Sequence, residues 1–298
     1  MSYNNDILVS ICCITYNQAS YIRQCLDGVL MQKTTFKFEI IVHDDCSTDG
    51  TTDIVREYAE KYPDTIVPII QTVNQYQNGN KRILASFVSP KVRGKYIALC
   101  EGDDYWTDPL KLQKQVDYLE SHPDYSMCFH RAHILKEYEC VVGLKCDNID
   151  DREYNANELL EYWKVPTASI LERREVLDVK NIMEERILNG DIIQVLNCAK
   201  IGKIRGMSDV MSVYRVQNSG VTYDKSMKKY RTMRYPAHFE FIKDNYPFLK
   251  SSIINQKIAR AYMNRRKIQT NLGAYLKDVL LAFHYNPLVF LDKFKSPR

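Results

Sequence analysis

The sequence predicts an α/β fold: a mostly parallel sheet flanked by helices, with a helical extension at its C-terminal end. Three observations carry that prediction. Apolar runs of strand length alternate with apolar residues at helical spacing through the first hundred residues; several of those runs close on polar or acidic clusters; and beyond about residue 222 only the helical spacing remains.

The elements follow in order. Ile7-Leu8-Val9-Ser10-Ile11-Cys12-Cys13-Ile14 is almost continuously apolar, the pattern of a parallel strand buried on both faces, and it ends at Thr15-Tyr16-Asn17. Ile22, Cys25, Leu26, Val29 and Leu30 recur at helical spacing, so a helix packs back on the sheet. Phe38 to His43 form a second strand that closes on Asp44-Asp45, and the Ser, Thr, Asp and Gly residues of 46–53 offer N-caps to a helix through Ile54, Val55 and Tyr58. Residues 65–70 read as a third strand, 74–80 as a polar loop, and Lys95 to Cys100 as a buried strand closing on Glu101-Gly102-Asp103-Asp104. After Val221, residues 225–245, 251–269 and 272–284 place apolar groups at helical spacing, which divides the chain into domains at 1–222 and 223–298.

Composition narrows the class. With 45% hydrophobic and 26% charged residues among 298, and only 11 Gly and 10 Pro, the chain is neither disordered nor collagen-like. No apolar run approaches the roughly 20 residues of a bilayer span. Met1 to Asp6 lack the basic start and apolar stretch of a signal peptide, so a cytoplasmic location is expected, with peripheral contact to the inner membrane face. Nine cysteines without a Cys-x-x-Cys pair fit reduced thiols. The nearest approach to a metal cluster is Cys128, His130 and His133; on a strand His133 faces away from the other two, and zinc is not expected there.

The net charge of +4 is unevenly divided. Residues 224–298 hold 16 Lys and Arg against 5 Asp and Glu, a net of +11, which leaves 25 against 32, or −7, for residues 1–223. Such a tail suits an anionic surface, although a solvated helical face has the same composition.

In parallel sheets ligands bind beyond the carboxyl ends of the strands, and here those ends carry Thr15-Tyr16-Asn17, Asp44-Asp45 and Glu101-Gly102-Asp103-Asp104. The first turn has no glycine, so the dinucleotide fingerprint is absent, as is the Walker A loop. Carboxylates repel phosphate directly, but they hold a hard cation such as Mg²⁺ or Mn²⁺ whose remaining positions accept diphosphate oxygens. Capping of the helix near Pro109 accounts for Thr107 or Asp108, but not for Glu101 and Asp103 as well.

Taken together, Val9-Ser10-Ile11, Thr15-Tyr16-Asn17, the run from Glu39 to Thr51 through Asp44-Asp45-Cys46-Ser47-Thr48-Asp49-Gly50, and the run from Gly94 to Trp106 resemble the family 2 glycosyltransferases, over roughly residues 7–220. The resemblance implies the Rossmann-like GT-A fold and inverting, metal-assisted transfer of a sugar from a nucleotide diphosphate donor, a UDP-sugar first, to a glycan or lipid-linked acceptor. It implies that Asp45 meets the nucleotide base, with Thr15, Tyr16, Asn17 and Asp44 beside it. Asp103 falls near the ribose and diphosphate, Asp104 nearest the metal, and Glu101, standing where Asp is commoner, acts through water. The downstream base matches Asp191 in Leu188-Asn189-Gly190-Asp191, where Gly190 replaces the family's usual Glu; an N-cap role fits Asp191 equally from the residues themselves, and Glu184 and Glu185 are further candidates. Thr167 and Ser169 match an acceptor-side segment, Arg215 with Asn218-Ser219-Gly220 a loop closing over the donor, and Trp106 offers either a sugar-facing wall or a core aromatic. Lys81 and Arg82 are phosphate contacts or surface residues.

The segment Leu280 to Leu291 is apolar, interrupted by Pro287 and followed by Lys293, Lys295 and Arg298, as expected of a piece lying on an anionic membrane surface; packing on the body or in a homodimer is the other reading. A non-catalytic nucleotide-sugar or glycan binder on the same fold is the alternative function. Nucleic acid is not expected as a partner, because no recognition motif accompanies the basic tail.

Overall fold

The computed structural model describes residues 7–136, 141–145, 148–179, 185–217 and 225–290. Its contacts divide the chain into two compact units, one drawn from Met1–Asn155, Lys164–Ile182 and Asn197–Gln217, the other from Ala156–Trp163, Met183–Leu196 and Asn218–Arg298.

The first unit is built on one sheet of ten strands: β1 (Ile7–Thr15), β2 (Lys37–Asp44), β3 (Ile66–Ile70), β4 (Tyr96–Leu99), β5 (Tyr105–Trp106), β6 (Tyr125–Lys136), β7 (Val141–Lys145), β8 (Glu153–Tyr154), β9 (Leu171–Arg173) and β10 (Lys203–Val216). Their order is β3-β2-β1-β4-β9-β6-β10-β5, with β7 added to β6 and β8 to β10. The half containing β3, β2, β1 and β4 is parallel, as the apolar runs predict. Beyond β4 the sheet is mixed, because the short β9 runs antiparallel to both β4 and β6, while β6 and β10 form a long parallel ladder.

β1 is central. Val9, Ile11 and Cys13 alternate onto one face and are fully buried, and Cys12 on the other is 3% exposed. Helix α1 (Ile22–Leu30) covers the sheet with Ile22, Cys25, Leu26 and Val29, each fully buried; a buried Ile, Leu or Val contributes about 1.5–3 kcal/mol. Helices α2 (Thr51–Lys61) and α3 (Lys111–Ser121) add Val55, Leu112, Val116 and Leu119 to the same core.

The second unit contains α4 (Ala156–Glu161), the first part of α5 (Gly190–Ile201), α6 (Lys225–Asn245), α7 (Ser251–Arg265) and α8 (Leu272–Tyr285). It therefore draws in segments that lie before the boundary read from the sequence. The bonds explain why: the Lys250 N–H donates to Asn157 Oδ1 at 2.6 Å, Lys257 Nζ to the Glu161 carbonyl at 3.0 Å, the Leu188 N–H to His238 Nδ1 at 3.2 Å, and Arg186 pairs with Asp244 at 3.1 Å. A hydrophobicity pattern does not reveal such polar ties across the sequence.

Candidate functional site

Backbone bonds gather the strand ends at one edge of the sheet. The Asp45 N–H donates to the Thr15 carbonyl (3.1 Å), Cys100 N–H to Cys12 (3.1 Å) and Gly102 N–H to Ile14 (3.0 Å). The loop after β1 is zipped to the loop after β2: Asn17 Oδ1 accepts the Thr48 N–H at 2.8 Å, the Asn17 N–H donates to Ser47 Oγ at 2.9 Å, and the Ala19 N–H donates to Asp49 Oδ2 at 2.9 Å. Asn17 and Cys46 take φ values of 50° and 63°, and the left-handed conformation is one that Asn tolerates better than most residues.

Within this edge the acids differ. Asp44 is fully buried and accepts the hydroxyls of Ser47 and Thr52, which stitches the loop to the start of α2. Asp45, 2% exposed, accepts the N–H groups of Gln75 at 2.8 Å and Tyr76 at 3.0 Å and so draws the 74–80 loop to the edge. Lys81 donates to the Tyr76 carbonyl at 2.6 Å; burial lowers its pKa, and the charge of Asp45 opposes that shift. Tyr16 projects from the loop, 38% exposed.

The turn after β4 closes with the Asp104 N–H donating to the Glu101 carbonyl at 2.9 Å. Gly102 is required there, because a Cβ would lie 2.5 Å from Gln18 Oε1 and 2.8 Å from the Thr15 Cβ. Glu101 is exposed and Asp103 half-buried. One Asp103 oxygen accepts Gln217 Nε2 at 2.7 Å; burial raises its carboxyl above the ordinary value, against the pull of Arg215 and of the Gln217 and Gln18 amides. Asp104 is 1% exposed, and its Oδ1 accepts the Arg215 N–H at 2.8 Å. The carboxylate that the resemblance puts nearest a metal is thus the one turned into the protein. The Arg215 guanidinium, 7% exposed, donates to the Asp103 carbonyl (2.8 Å) and to Gln24 (2.6 Å) and lies over the Tyr21 ring at 4.6 Å, so it braces the acidic turn. The adjoining Asn218-Ser219-Gly220 fall outside the described residues.

The profile of glycosyl transferase family 2 matches residues 10–174. The chain belongs to this family. It is 38% identical over 218 residues to an uncharacterized protein of Mycobacterium tuberculosis, a match that covers 72% of this chain and 60% of that protein, so the chain spans less than two thirds of that relative's length. It is 29% identical over 222 residues, 73% of this chain and 81% of the relative, to Escherichia coli WfaP, named a UDP-Glc:alpha-D-GlcNAc-diphosphoundecaprenol beta-1,3-glucosyltransferase. Its fold resembles that of Staphylococcus aureus TarS 1-349 in complex with UDP-GlcNAc, with a TM-score of 0.66 and 16% identity over 94% of this chain and 81% of that one. Mannosyltransferase PcManGT of Pyrobaculum calidifontis, in complex with GDP-Man and Mn²⁺, gives 0.57 and 17% over 99% and 89%. The fold is GT-A, with the helical C-terminal extension expected from the tail.

The remaining sequence candidates of this family 2 chain fall into place unevenly. Trp106 is 1% exposed: its Nε1 donates to the Ala168 carbonyl at 2.9 Å and Lys111 Nζ sits 4.0 Å over its ring, so the ring packs in the core and presents no face to a sugar. Ser169 is fully buried and donates to the Pro166 carbonyl at 2.6 Å, whereas Thr167 is half-exposed. Asp191 belongs to the second unit, in the first turn of α5, where a carboxylate is favoured by the helix dipole; its Oδ1 accepts the Ile192 N–H at 2.9 Å. Glu185 is exposed, and Glu184 lies outside the described residues. Among the described residues no group of three or more His, Cys, Asp or Glu side chains converges as a metal site, at Cys128, His130 and His133 or elsewhere. Residues that sequence reasoning missed are Gln18, Gln24 and Gln217, the amides around the acidic turn. No residue-type signal marks a glutamine as part of a site; the Gly102 between two acids was the one available hint of close packing.

Proposed function

We propose that this chain transfers a sugar, with inversion, from a nucleoside diphosphate donor to a hydroxyl of a glycan or lipid-linked acceptor. The observation that carries the reading is the strand-end edge itself, where the half-buried Asp103 stands on the turn after β4 while Tyr16, Asp45 and the 74–80 loop surround the ends of β1 and β2. The family membership, the transferase activities for which WfaP and PcManGT are named, and the nucleotide sugars bound to TarS and PcManGT support it.

The donor set suits Mg²⁺ or Mn²⁺. Such ions are commonly held by one or two carboxylates together with substrate phosphates, so a three-residue protein cage is not required. Asp103 would hold the ion, with the exposed Glu101 acting through water, and Asp104 would hold the turn. When bound, the ion neutralises charge that gathers on the departing diphosphate. On the protein's side, Asp45 and Tyr16 orient the base, and Arg215 and Gln217 fix the backbone and carboxylate of Asp103. Asp191 takes the acceptor hydroxyl proton as that oxygen bonds to the anomeric carbon, while the carbon–oxygen bond to the diphosphate breaks and its electron pair leaves with the nucleotide.

The test is nucleoside diphosphate release from UDP- and GDP-sugars, with Mn²⁺ and glycan or diphosphoprenol acceptors. Turnover is expected for at least one donor, and Asp191→Asn should lower transfer by ~10²-fold or more while donor affinity is kept. Donor binding without release would assign the chain to the non-catalytic binders. Unchanged transfer in Asp191→Asn would remove that residue from the mechanism.

A further inference from the structure

The last described helix of the second unit turns an apolar face to solvent. α8 carries Leu272, Leu276, Leu280 and Phe283, 71, 50, 70 and 52% exposed, and Leu288 just after it is 62% exposed. At 100° per residue these four helix positions fall on one face. The opposite face holds the one buried acid of the helix: Asp278 is 1% exposed, with the fully buried Ala282 one turn on.

The orientation is locked by polar contacts within this unit. Arg265 of α7 donates to both Asp278 oxygens, with Nη2 at 2.5 Å and Nε at 3.0 Å, and Gln269 adds a bond at 2.9 Å. The Tyr285 and Tyr262 hydroxyls both donate to Glu240 Oε1, at 3.2 and 2.7 Å, with their rings stacked 6.2 Å apart. Asn271 caps the helix by accepting the Ala274 N–H at 3.1 Å. Rolling α8 to hide its leucines would break the Arg265–Asp278 pair, and any charge left buried without its partner is strongly destabilising. The leucines are therefore held outward against their own hydration.

The surrounding charge selects the occupant. Among the described residues, Lys267 and Lys277 are exposed before and along α8, and from 266 to 290 the sequence holds no acid besides the Asp278 that Arg265 pairs. An apolar stripe flanked by cations and almost free of acids complements a surface that is anionic at its headgroups and apolar beneath. We propose that the Leu272–Leu276–Leu280–Phe283 face of α8 seats this protein on an anionic lipid surface.

The experiment is flotation of the full chain with phosphatidylcholine vesicles containing or lacking phosphatidylglycerol, without donor or acceptor, so that its outcome does not depend on the enzymatic reading. Binding is expected to the anionic vesicles, to weaken with added salt, and to fall about tenfold or more in Leu276→Gln/Leu280→Gln. Those side chains point away from the fold, so the variant should keep the parent's melting temperature. A second variant, Lys267→Gln/Lys277→Gln, should weaken binding to anionic vesicles alone. Equal partitioning of parent and leucine variant, or no partitioning of the parent, overturns the proposal. So does sedimentation showing a dimer that the leucine variant dissociates, since the face would then belong to a second copy.

Discussion

Two pairs of adjacent aspartates end two parallel strands of the same sheet, and they are held differently. Asp44 and Asp45 are both almost fully buried, and the four bonds they accept come from Ser47, Thr52, Gln75 and Tyr76, groups of the loops that the acids organise. Asp103 and Asp104 divide the work: Asp104 is buried on a backbone N–H, whereas Asp103 is half-buried on the end of a glutamine side chain. A backbone donor fixed in a strand cannot be exchanged without moving the strand. A glutamine amide rotates away at the cost of one hydrogen bond, of order 1 kcal/mol. The pairs look alike in sequence, but only in the second does a half-buried carboxylate rest on a side-chain partner where a ligand could replace it; the hydroxyls on Asp44 bond a carboxylate that is fully buried.

The largest test breaks that second pair apart. Asp103→Asn keeps the acceptor for Gln217 and removes the charge, so turnover should fall by ~10²–10³-fold with the melting temperature nearly unchanged. Asp104→Ala should do the reverse, leaving the Arg215 N–H without its acceptor and destabilising the fold by about 1–3 kcal/mol in urea unfolding. If Asp104→Ala were stable but inactive and Asp103→Asn active, the two roles would be exchanged. A smaller effect is expected at the first pair, where the base is assigned to Asp45: Asp45→Asn should raise the donor KM by roughly tenfold and change kcat little. A loss confined to kcat would place Asp45 in the chemical step.

How far the sequence displayed these differences depends on the length of the pattern. β1, β2 and β4 are legible because apolar runs record burial on both faces, and the acids are legible because the runs of β2 and β4 stop at them. The tail helices are equally plain, since apolar residues such as Ile254, Ile258 and Tyr262 recur along α7. β9 is only Leu171–Arg173, too short for periodicity, so the antiparallel pairings that it makes with β4 and β6 are not foreseen. Nor does the sequence divide Asp103 from Asp104: which of two neighbouring side chains turns inward is decided by β10, about a hundred residues on, through the Arg215 N–H. The same long-range pairing, with Trp106 opposite Ser212 and Tyr105 opposite Val213 on β10, seats the tryptophan in the core.

The smallest test concerns what lies behind the second pair. Lys111 is fully buried with Nζ donating to Gln115 Oε1 at 2.8 Å, and the Cys100 thiol feels both its charge and that of Asp104. Burial lowers the Lys111 pKa from 10.5 to about 7, with Cys128 and Cys100 opposing weakly. Because the folded value is the lower one, the unfolded chain binds more protons between those limits, and stability must rise with pH from about 7 toward 10.5. Between pH 7 and 8 the gain is about 1 kcal/mol, and Lys111→Met should remove it, which urea midpoints at the two pH values would show as a smaller rise in stability for the variant than for the parent. If the parent's slope persisted unchanged in Lys111→Met, the amine would be charged in the folded state throughout this range, a permanent buried cation over the Trp106 ring.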